Sequence, residues 1–243
     1  MPPTTLDPGE IAKFSALARE WWNPEGPFGA LHRLNPVRLA YIRDLVLKQR
    51  ANAPAAKPLA GWDVLDLGCG GGLVSAPLAR MGAQLTAIDA SEDAIGAARA
   101  HTEEAGLAID FRCTTAEALA ETGARFDLVT ALEIIEHVAD VPAFLQAASS
   151  LVKPGRLIVL STINRTQKAR ALAIVGAERI LKWAPEGAHD FDKLVTPDEI
   201  RAGAPNVDWF EPIGVSFQPL RSGWALSRDI SMNYMMAGRV QSA

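Results

Sequence analysis

Two carboxylates and an imidazole lie close together in the segment LEIIEHV, as Glu133, Glu136 and His137. They follow an apolar run at residues 126–132 that predicts a β-strand. If Glu133 begins a helical turn, Glu136 and His137 follow at i+3 and i+4, and the three side chains share one face. Such a trio can hold a divalent cation and leave positions open for water or substrate oxygens. A helix start whose acidic residues favour its N-terminus, with His137 merely packed, explains the same pattern.

A glycine-rich turn is the second stretch that could do chemistry. In VLDLGCGGGL, at residues 64–73, an apolar strand breaks into the pattern D-x-G-x-G-x-G before helical spacing resumes. Such glycines let a ligand lie against main-chain N–H groups at a helix N-terminus. A second apolar strand ends at Asp89, about 20 residues further on, where nucleotide-binding βαβ units place an acid for the ribose hydroxyls. The spacing predicts an adenosine cofactor, while simple turn chemistry also explains the glycines alone.

Strands and helices alternate through the middle of the chain, which predicts a doubly wound sheet. The predicted strands lie at residues 64–67, 84–88, 109–112, 126–132 and 157–160, with a final antiparallel pair at 207–217 and 224–234. The fold class is therefore α/β, with a mostly parallel, seven-stranded, Rossmann-like sheet. Ligands of such sheets bind beyond the carboxyl ends of the strands. The glycine turn and the acidic corner, which consists of Glu133, Glu136 and His137, are thus expected to meet at one cleft.

Paired tryptophans mark an irregular aromatic segment that follows a short predicted helix starting at Asp7. Exposing the large apolar rings of Trp21 and Trp22 to water is unfavourable, so this segment is expected to pack over another part of the protein. It is either an N-terminal extension packed on the core or a lid over the cofactor cleft. In the second case Arg38, early in a helix opened by Pro36, reaches a ligand carboxylate as a charge-assisted pair.

Three parts are expected along the chain: a helical lid and linker at 1–59, a cofactor-binding domain at 60–243 and an inserted segment at 164–195 within that domain. Basic side chains recur at 165–183, as Arg165, Lys168, Arg170, Arg179 and Lys182. The stretch is an ordinary surface helix, or an interfacial helix with its basic side chains towards anionic lipid headgroups.

Composition narrows the class of protein. The 243 residues carry a formal net charge of -4, which does not indicate a general nucleic-acid surface. The two cysteines, Cys69 and Cys113, fit a reducing compartment. The first residues do not resemble a secretory or transit presequence, and no apolar run approaches the roughly 20 residues that span a bilayer. We expect a cytoplasmic protein with peripheral contact at the inner face of a bacterial membrane.

Several motifs resemble a known family. The glycine turn and its neighbours, at 60–163, resemble class I S-adenosylmethionine-dependent methyltransferases. The segments EWWNPEGPFGALHRLNPVRLAYI, LEIIEHV, INRT and GAHDFDKLVTPDEI resemble the ubiquinone biosynthesis O-methyltransferases. This resemblance implies methyl transfer to ring hydroxyls of polyprenylated phenols, from 3-demethylubiquinol to ubiquinol and from 2-polyprenyl-6-hydroxyphenol to 2-polyprenyl-6-methoxyphenol. Other ubiquinone-synthesis enzymes are partners that such a role allows.

The resemblance also implies roles for residues of this chain. Arg38 would bind the carboxylate of S-adenosylmethionine, and Gly68 and Gly70 would cradle its methionine part. Asp89 would hold the ribose, and Leu132 would lie on the adenine side of the cleft.

The acidic corner has two candidate roles in such a reaction. The resemblance associates Glu133, Glu136 and His137 with magnesium, and a cation on the ring oxygens would favour the phenolate of a group whose pKa lies near 10. His137 could instead take the phenol proton as a general base. The two roles compete for the same nitrogen, and the residues leave the choice open. His189 and Asp190 are further candidates to line the pocket.

Three alternatives belong to other classes of protein. A metal-dependent RNA 2'-O-methyltransferase can use a similar Glu-x-x-Glu-His arrangement, but the acidic net charge argues against it. A dinucleotide-dependent oxidoreductase fits the position of Asp89 but not the spacing of the glycines. A non-catalytic S-adenosylmethionine-binding protein or membrane scaffold would not need the polar groups at the cleft.

Overall fold

A single mixed sheet forms the centre of the computed structural model, which describes residues 5–50, 52–171, 190–218 and 223–242. Its strands are β1 (Asp63–Leu67), β2 (Gln84–Asp89), β3 (Asp110–Cys113), β4 (Phe126–Leu132), β5 (Val152–Ile163), β6 (Val207–Trp209), β7 (Ile213–Gln218), β8 (Gly223–Ser227) and β9 (Asn233–Val240). The order is β3-β2-β1-β4-β5-β9-β7-β8, with β6 also paired to β9. Strands β1 to β5 are parallel, whereas β6 to β9 pair antiparallel. The predicted α/β class and doubly wound parallel centre are confirmed.

Helices cover both faces of this sheet. They are α1 (Pro8–Ala16), α2 (Gly29–Gln49), α3 (Ser75–Arg80), α4 (Glu92–Glu104), α5 (Ala116–Glu121), α6 (Val141–Ser150), α7 (Gln167–Ala169) and α8 (Pro197–Gly203). In β1, Val64 packs in the core cluster that includes α2, and Leu65 packs in the one that includes α5, α6 and α8. Successive strand residues point to opposite faces, so a strand covered on both sides is buried along its length and mostly apolar. All seven residues of β4 are accordingly buried.

The described residues contain nine strands where seven were predicted. Each of the two predicted C-terminal strands is split in two. Pro212 separates β6 from β7, because proline has no N–H to give to a ladder. A polar turn separates β8 from β9, in which the Ser231 N–H donates to Asp229 Oδ1 at 2.9 Å. Strand patterning located these regions, but the short breaks within them were missed.

The predicted start of the first N-terminal helix is confirmed, whereas the predicted start of the second is wrong. Asp7 caps α1 by accepting the N–H of Gly9 at 2.9 Å, as its position before Pro8 predicted. The prediction that Pro36 opens a helix is wrong, because α2 begins at Gly29 and holds Pro36 in its interior. Proline is commoner in the first turn, since inside a helix it removes one backbone hydrogen bond.

The predicted basic helix at 165–183 and the candidate His189 lie largely or wholly outside the described residues. In the described part, Arg165 pairs with Glu199, and Lys168 Nζ donates to Asp229 Oδ2 at 2.5 Å. These two cations therefore contact protein carboxylates. None of the helices within the described ranges is long and apolar enough to span a membrane. The division of the chain at residue 59 stays a prediction.

Candidate active site

A cavity of about 120 Å³ opens at the carboxyl ends of the parallel strands. The sheet side contributes the glycine turn, Asp89, the residues after β3 and the residues after β4. The opposite wall comes from the N-terminal segment, through Thr5, Leu6, Asp7, Glu10, Ile11, Phe14 and Trp21. This lining confirms the prediction that the glycine turn and the acidic corner meet at one cleft.

The glycine turn is tightly packed by protein side chains. Gly68 and Gly70 have φ angles of 66° and 51°, which suit glycine and strain other residues. A Cβ at Gly68 would lie 2.6 Å from Ile134 Cδ1, and one at Gly70 would collide with the indole of Trp21. The absent side chains therefore make room for Ile134 and Trp21 as well as shaping the turn.

The two tryptophans hold the N-terminal segment against this turn. Trp22 Nε1 donates to the Gly71 carbonyl at 2.8 Å, and its ring stacks on His101 of α4 with centroids 3.3 Å apart. The Trp21 ring stacks on Phe28 at 3.7 Å, and Trp21 Nε1 is buried without a hydrogen-bond partner among the described residues. The aromatic segment thus covers the turn and walls the cavity, which combines the two interpretations drawn from the sequence.

Two aspartates near the glycine turn have different surroundings. Asp66 lies in β1 and accepts the hydroxyls of Ser75 at 2.6 Å and Thr130 at 2.8 Å, and burial raises its pKa to about 6. Asp89 lines the cavity and accepts the backbone N–H of Gly70 at 2.8 Å and of Ser91 at 2.9 Å. Burial raises the pKa of Asp89, against the opposing effect of these two bonds. Each of its oxygens keeps a lone pair for a further hydroxyl, so Asp89 fits a ribose.

Arg38 lies beside the cavity and within a polar network. Its guanidinium donates to Asn35 Oδ1 and, at 3.4 Å, to Glu133 Oε1. Burial lowers the pKa of Arg38, and the charge of Glu133 opposes that effect. Glu133 lines the cavity while Arg38 and Leu132 are buried next to it, so their predicted contacts with a cofactor stay predictions.

The three residues of the acidic corner point to different partners. Glu133 has a φ of 53° and does not begin a helix, so the expected helical face is wrong. Its Oε1 accepts the Ser161 hydroxyl at 2.6 Å. Glu136 is buried with neither oxygen hydrogen-bonded within the described residues, and burial followed by the charge of Glu133 raises its pKa to about 7. His137 Nδ1 lies 2.9 Å from Glu10 Oε2.

This arrangement does not fit a metal ion. Among the described residues, no three His, Cys, Asp or Glu side chains are placed to hold one. Glu133 is already paired with Arg38, whose positive charge would repel a cation there. The predicted magnesium set of Glu133, Glu136 and His137 is therefore not assembled by this structure.

The sequence patterns did not predict two groups of residues that line the cavity. Glu10 comes from α1, 127 residues before His137, and nothing local connects the two. Glu117 and the threonines before it follow the end of β3, and Asp89 ends the neighbouring strand β2, so the rule that ligands bind at strand ends could have found them. Thr5 Oγ1 donates to Glu117 Oε1 at 2.5 Å, which fastens the N-terminal segment over this part of the cavity.

The other predicted pocket residue has a local role. Asp190 caps the short 3-10 helix Phe191–Lys193 by accepting the N–H of Asp192 at 3.1 Å. Lys193, at the end of that turn, donates to Asp7 at 2.8 Å. This segment therefore contacts the N-terminal wall of the cavity, and Asp190 itself is not part of the lining.

Comparisons with known proteins place this geometry in a family. The methyltransferase domain family matches residues 32–202. The ubiquinone biosynthesis O-methyltransferase of Rhizobium johnstonii is 49% identical over 239 residues, which cover 97% of this chain and 96% of the relative. The enzyme of the same name from Chelativorans sp. (strain BNC1) is 48% identical and covers 99% and 96%. This chain belongs to the ubiquinone biosynthesis O-methyltransferase family.

Solved structures agree with the fold. Magnesium protoporphyrin IX methyltransferase from Synechocystis PCC 6803 with bound SAH superposes with a TM-score of 0.62, at 20% identity and 95% coverage of each chain. The PH0226 protein of Pyrococcus horikoshii OT3 also gives 0.62, at 15% identity, covering 94% of this chain and 99% of that one. The near-full-length relatives and the family model show that the chain is an S-adenosylmethionine-dependent O-methyltransferase of ubiquinone biosynthesis. The RNA methyltransferase, oxidoreductase and non-catalytic alternatives are therefore excluded.

Proposed function

We propose that this methyltransferase methylates ring hydroxyls of polyprenylated catechols and hydroquinols, including 3-demethylubiquinol and 2-polyprenyl-6-hydroxyphenol. The observation that carries the proposal is the position of His137 on the wall of the cavity that Gly68, Gly70 and Asp89 also line. The names of the near-full-length relatives supply the substrate class.

The residues around the cavity suit S-adenosylmethionine. Gly68 and Gly70 place main-chain groups at the turn, Asp89 has acceptors left for ribose hydroxyls, and Trp21 has an N–H without a protein partner among the described residues. Arg38 has its Nε buried and unpaired within the same described part of the chain, and would turn from Glu133 to meet a cofactor carboxylate. When bound, the cofactor supplies a methyl group on a positively charged sulfur.

His137 would act on the substrate proton. A phenol holds its proton at neutral pH, because its pKa lies near 10. As the ring oxygen forms its bond to the methyl carbon and the carbon–sulfur bond breaks, the imidazole takes the phenol proton. The products are the methyl ether, S-adenosylhomocysteine and a protonated His137. Magnesium is implied by the family resemblance alone, because Glu133, Glu136 and His137 have separate surroundings among the described residues.

Transfer of a labelled methyl group tests this function. Purified protein with labelled S-adenosylmethionine and a short-chain demethylubiquinol analogue is expected to give labelled ether, with boiled protein as control. Absence of product from folded protein that binds the cofactor in calorimetry would contradict the proposed substrate class. A parallel arm with chelator separates the two roles of the acidic corner: lost product supports a bound cation, and retained product favours His137 as the base.

We also infer peripheral contact of residues 164–195 with anionic lipid, because a polyprenyl tail resides in the bilayer and this stretch is basic. Changing Arg170, Arg179 and Lys182 together to glutamate is expected to abolish flotation with anionic liposomes. Neutral liposomes and a variant with Arg43 changed to glutamate, on α2, are the controls. Unchanged flotation of the triple variant would contradict the lipid contact.

A further inference from the structure

We propose that Glu10, on the N-terminal helix α1, is the positioning residue that fixes the imidazole of His137 for proton abstraction. The inference rests on the proposed function, in which His137 is the base. It adds a residue from the N-terminal wall to the reaction and specifies the ring nitrogen that meets the substrate.

The contact between the two side chains is direct and shielded. Glu10 Oε2 lies 2.9 Å from His137 Nδ1, a normal charge-assisted hydrogen-bond distance. The two side chains are 19% and 13% exposed, so water competes little for either group. Both line the cavity, which places the pair where a substrate would bind.

A second residue of α1 restrains the plane of the ring. Phe14 follows Glu10 by one helical turn, so both lie on the same face of α1. Its ring meets the imidazole edge-on, with centroids 5.0 Å apart and planes at 85°. Glu10 therefore fixes the direction of Nδ1 while Phe14 limits rotation of the ring.

The carboxylate of Glu10 is itself held in place. Lys193 Nζ lies 3.5 Å from Glu10 Oε1 and donates at 2.8 Å to Asp7 Oδ2. Asp7 is the cap of α1, so Lys193 fastens the start of the helix and the carboxylate together. One oxygen of Glu10 thus faces Lys193, and the other is left for His137.

The contact selects a tautomer of the base. A carboxylate can only accept, so in the neutral imidazole, the form that can act as a base, the proton is assigned to Nδ1 and the lone pair to Nε2. The free Nε2 is then the nitrogen that takes the phenol proton. Because Glu10 belongs to the N-terminal segment, the base is oriented only while α1 is seated on the cavity.

The test compares variants of the full chain. Changing Glu10 to alanine is expected to lower kcat by about 10–100-fold, since small misplacement of a reacting group can cost about 10²-fold. The KM and the calorimetric affinity for S-adenosylmethionine should stay within about threefold, because Glu10 orients the base and is not assigned to cofactor binding. Glu10→Asp is expected to recover part of the kcat by restoring a carboxylate. Glu25→Gln, exposed in the same N-terminal segment, is the matched control and should leave kcat unchanged.

A spectroscopic readout makes the inference independent of turnover. In protein labelled with ¹⁵N-histidine and without ligand, the His137 ring should show protonated Nδ1 and unprotonated Nε2, with the signals assigned by their loss in His137→Ala. Glu10→Ala should shift this ring towards the other tautomer. Unaltered ring shifts, or a wild-type kcat in Glu10→Ala, overturn the role of Glu10. Full activity of His137→Ala would instead contradict the base role, which is the failure of the proposed function.

Discussion

Changing His137 to alanine is expected to lower kcat of methyl transfer by about 10²–10⁴-fold, the usual contribution of a positioned general base. The phenol would then have to lose its proton to water within a cavity that the N-terminal wall partly closes. The affinity for S-adenosylmethionine should be nearly unchanged, because the glycine turn and Asp89 are intact. The measurement is single-turnover transfer of labelled methyl, together with calorimetry of cofactor binding.

Free imidazole gives this variant a control. Truncation to alanine leaves a space beside Glu10 and Phe14, and added imidazole is expected to restore part of the rate. Glu25→Gln, an exposed change outside the cavity lining, should retain near wild-type activity. A kcat for His137→Ala within about threefold of wild type would contradict the base role, and rescue by imidazole without chelator sensitivity would favour it over a metal-ligand role.

Changing Gly70 to alanine is expected to destabilise the fold by about 2–5 kcal/mol and to abolish measurable cofactor binding. The φ of 51° costs a residue with a Cβ about 1–2 kcal/mol, and the collision with Trp21 adds an overpacking cost of about 1–3 kcal/mol. Displacing Trp21 also disturbs the turn that would receive the cofactor. Denaturant unfolding and calorimetry with S-adenosylmethionine measure the two effects.

Gly96 provides the matched control. It lies exposed within α4, and a Cβ there would meet no atom within 4 Å. Alanine at this position should raise stability by about 0.5–1 kcal/mol, because glycine weakens a helix interior. A Gly70→Ala protein as stable as wild type, with normal binding, would show that Trp21 does not rest on the turn as described.

Local sequence patterns were sufficient for the sheet and for one side of the cleft. The D-x-G-x-G-x-G turn and Asp89 are separated by a single βα unit, so their proximity follows from the regular geometry of that unit. The pattern at residues 126–132 likewise predicted a strand, and all seven residues of β4 are buried. These predictions depend on contacts within a short stretch of chain.

The other side of the cleft depends on contacts between distant parts of the chain. Glu10 reaches His137, and Trp21 reaches Gly70, only because the N-terminal segment folds back over the sheet. Glu133 follows a strand directly and takes a left-handed backbone conformation while bonded to Ser161, which no helical spacing rule anticipates. The tertiary partners decided these side-chain directions, so the predicted helical face shared by Glu133, Glu136 and His137 was wrong, although Glu133 and His137 both line the cavity.

The two ends of the described chain lie at opposite ends of the parallel strands of the sheet, which decides where a tag can be attached. Thr5 is 2% exposed, lines the cavity, and accepts the Ala139 N–H at its carbonyl at 2.7 Å, so this end of the described residues lies at the reacting face. At the other end, β9 runs antiparallel to β5 and finishes beside the amino end of that strand, with Arg239 opposite Leu157. An affinity handle or surface tether attached after Ser242 would therefore leave the reacting face open to membranes and assay reagents.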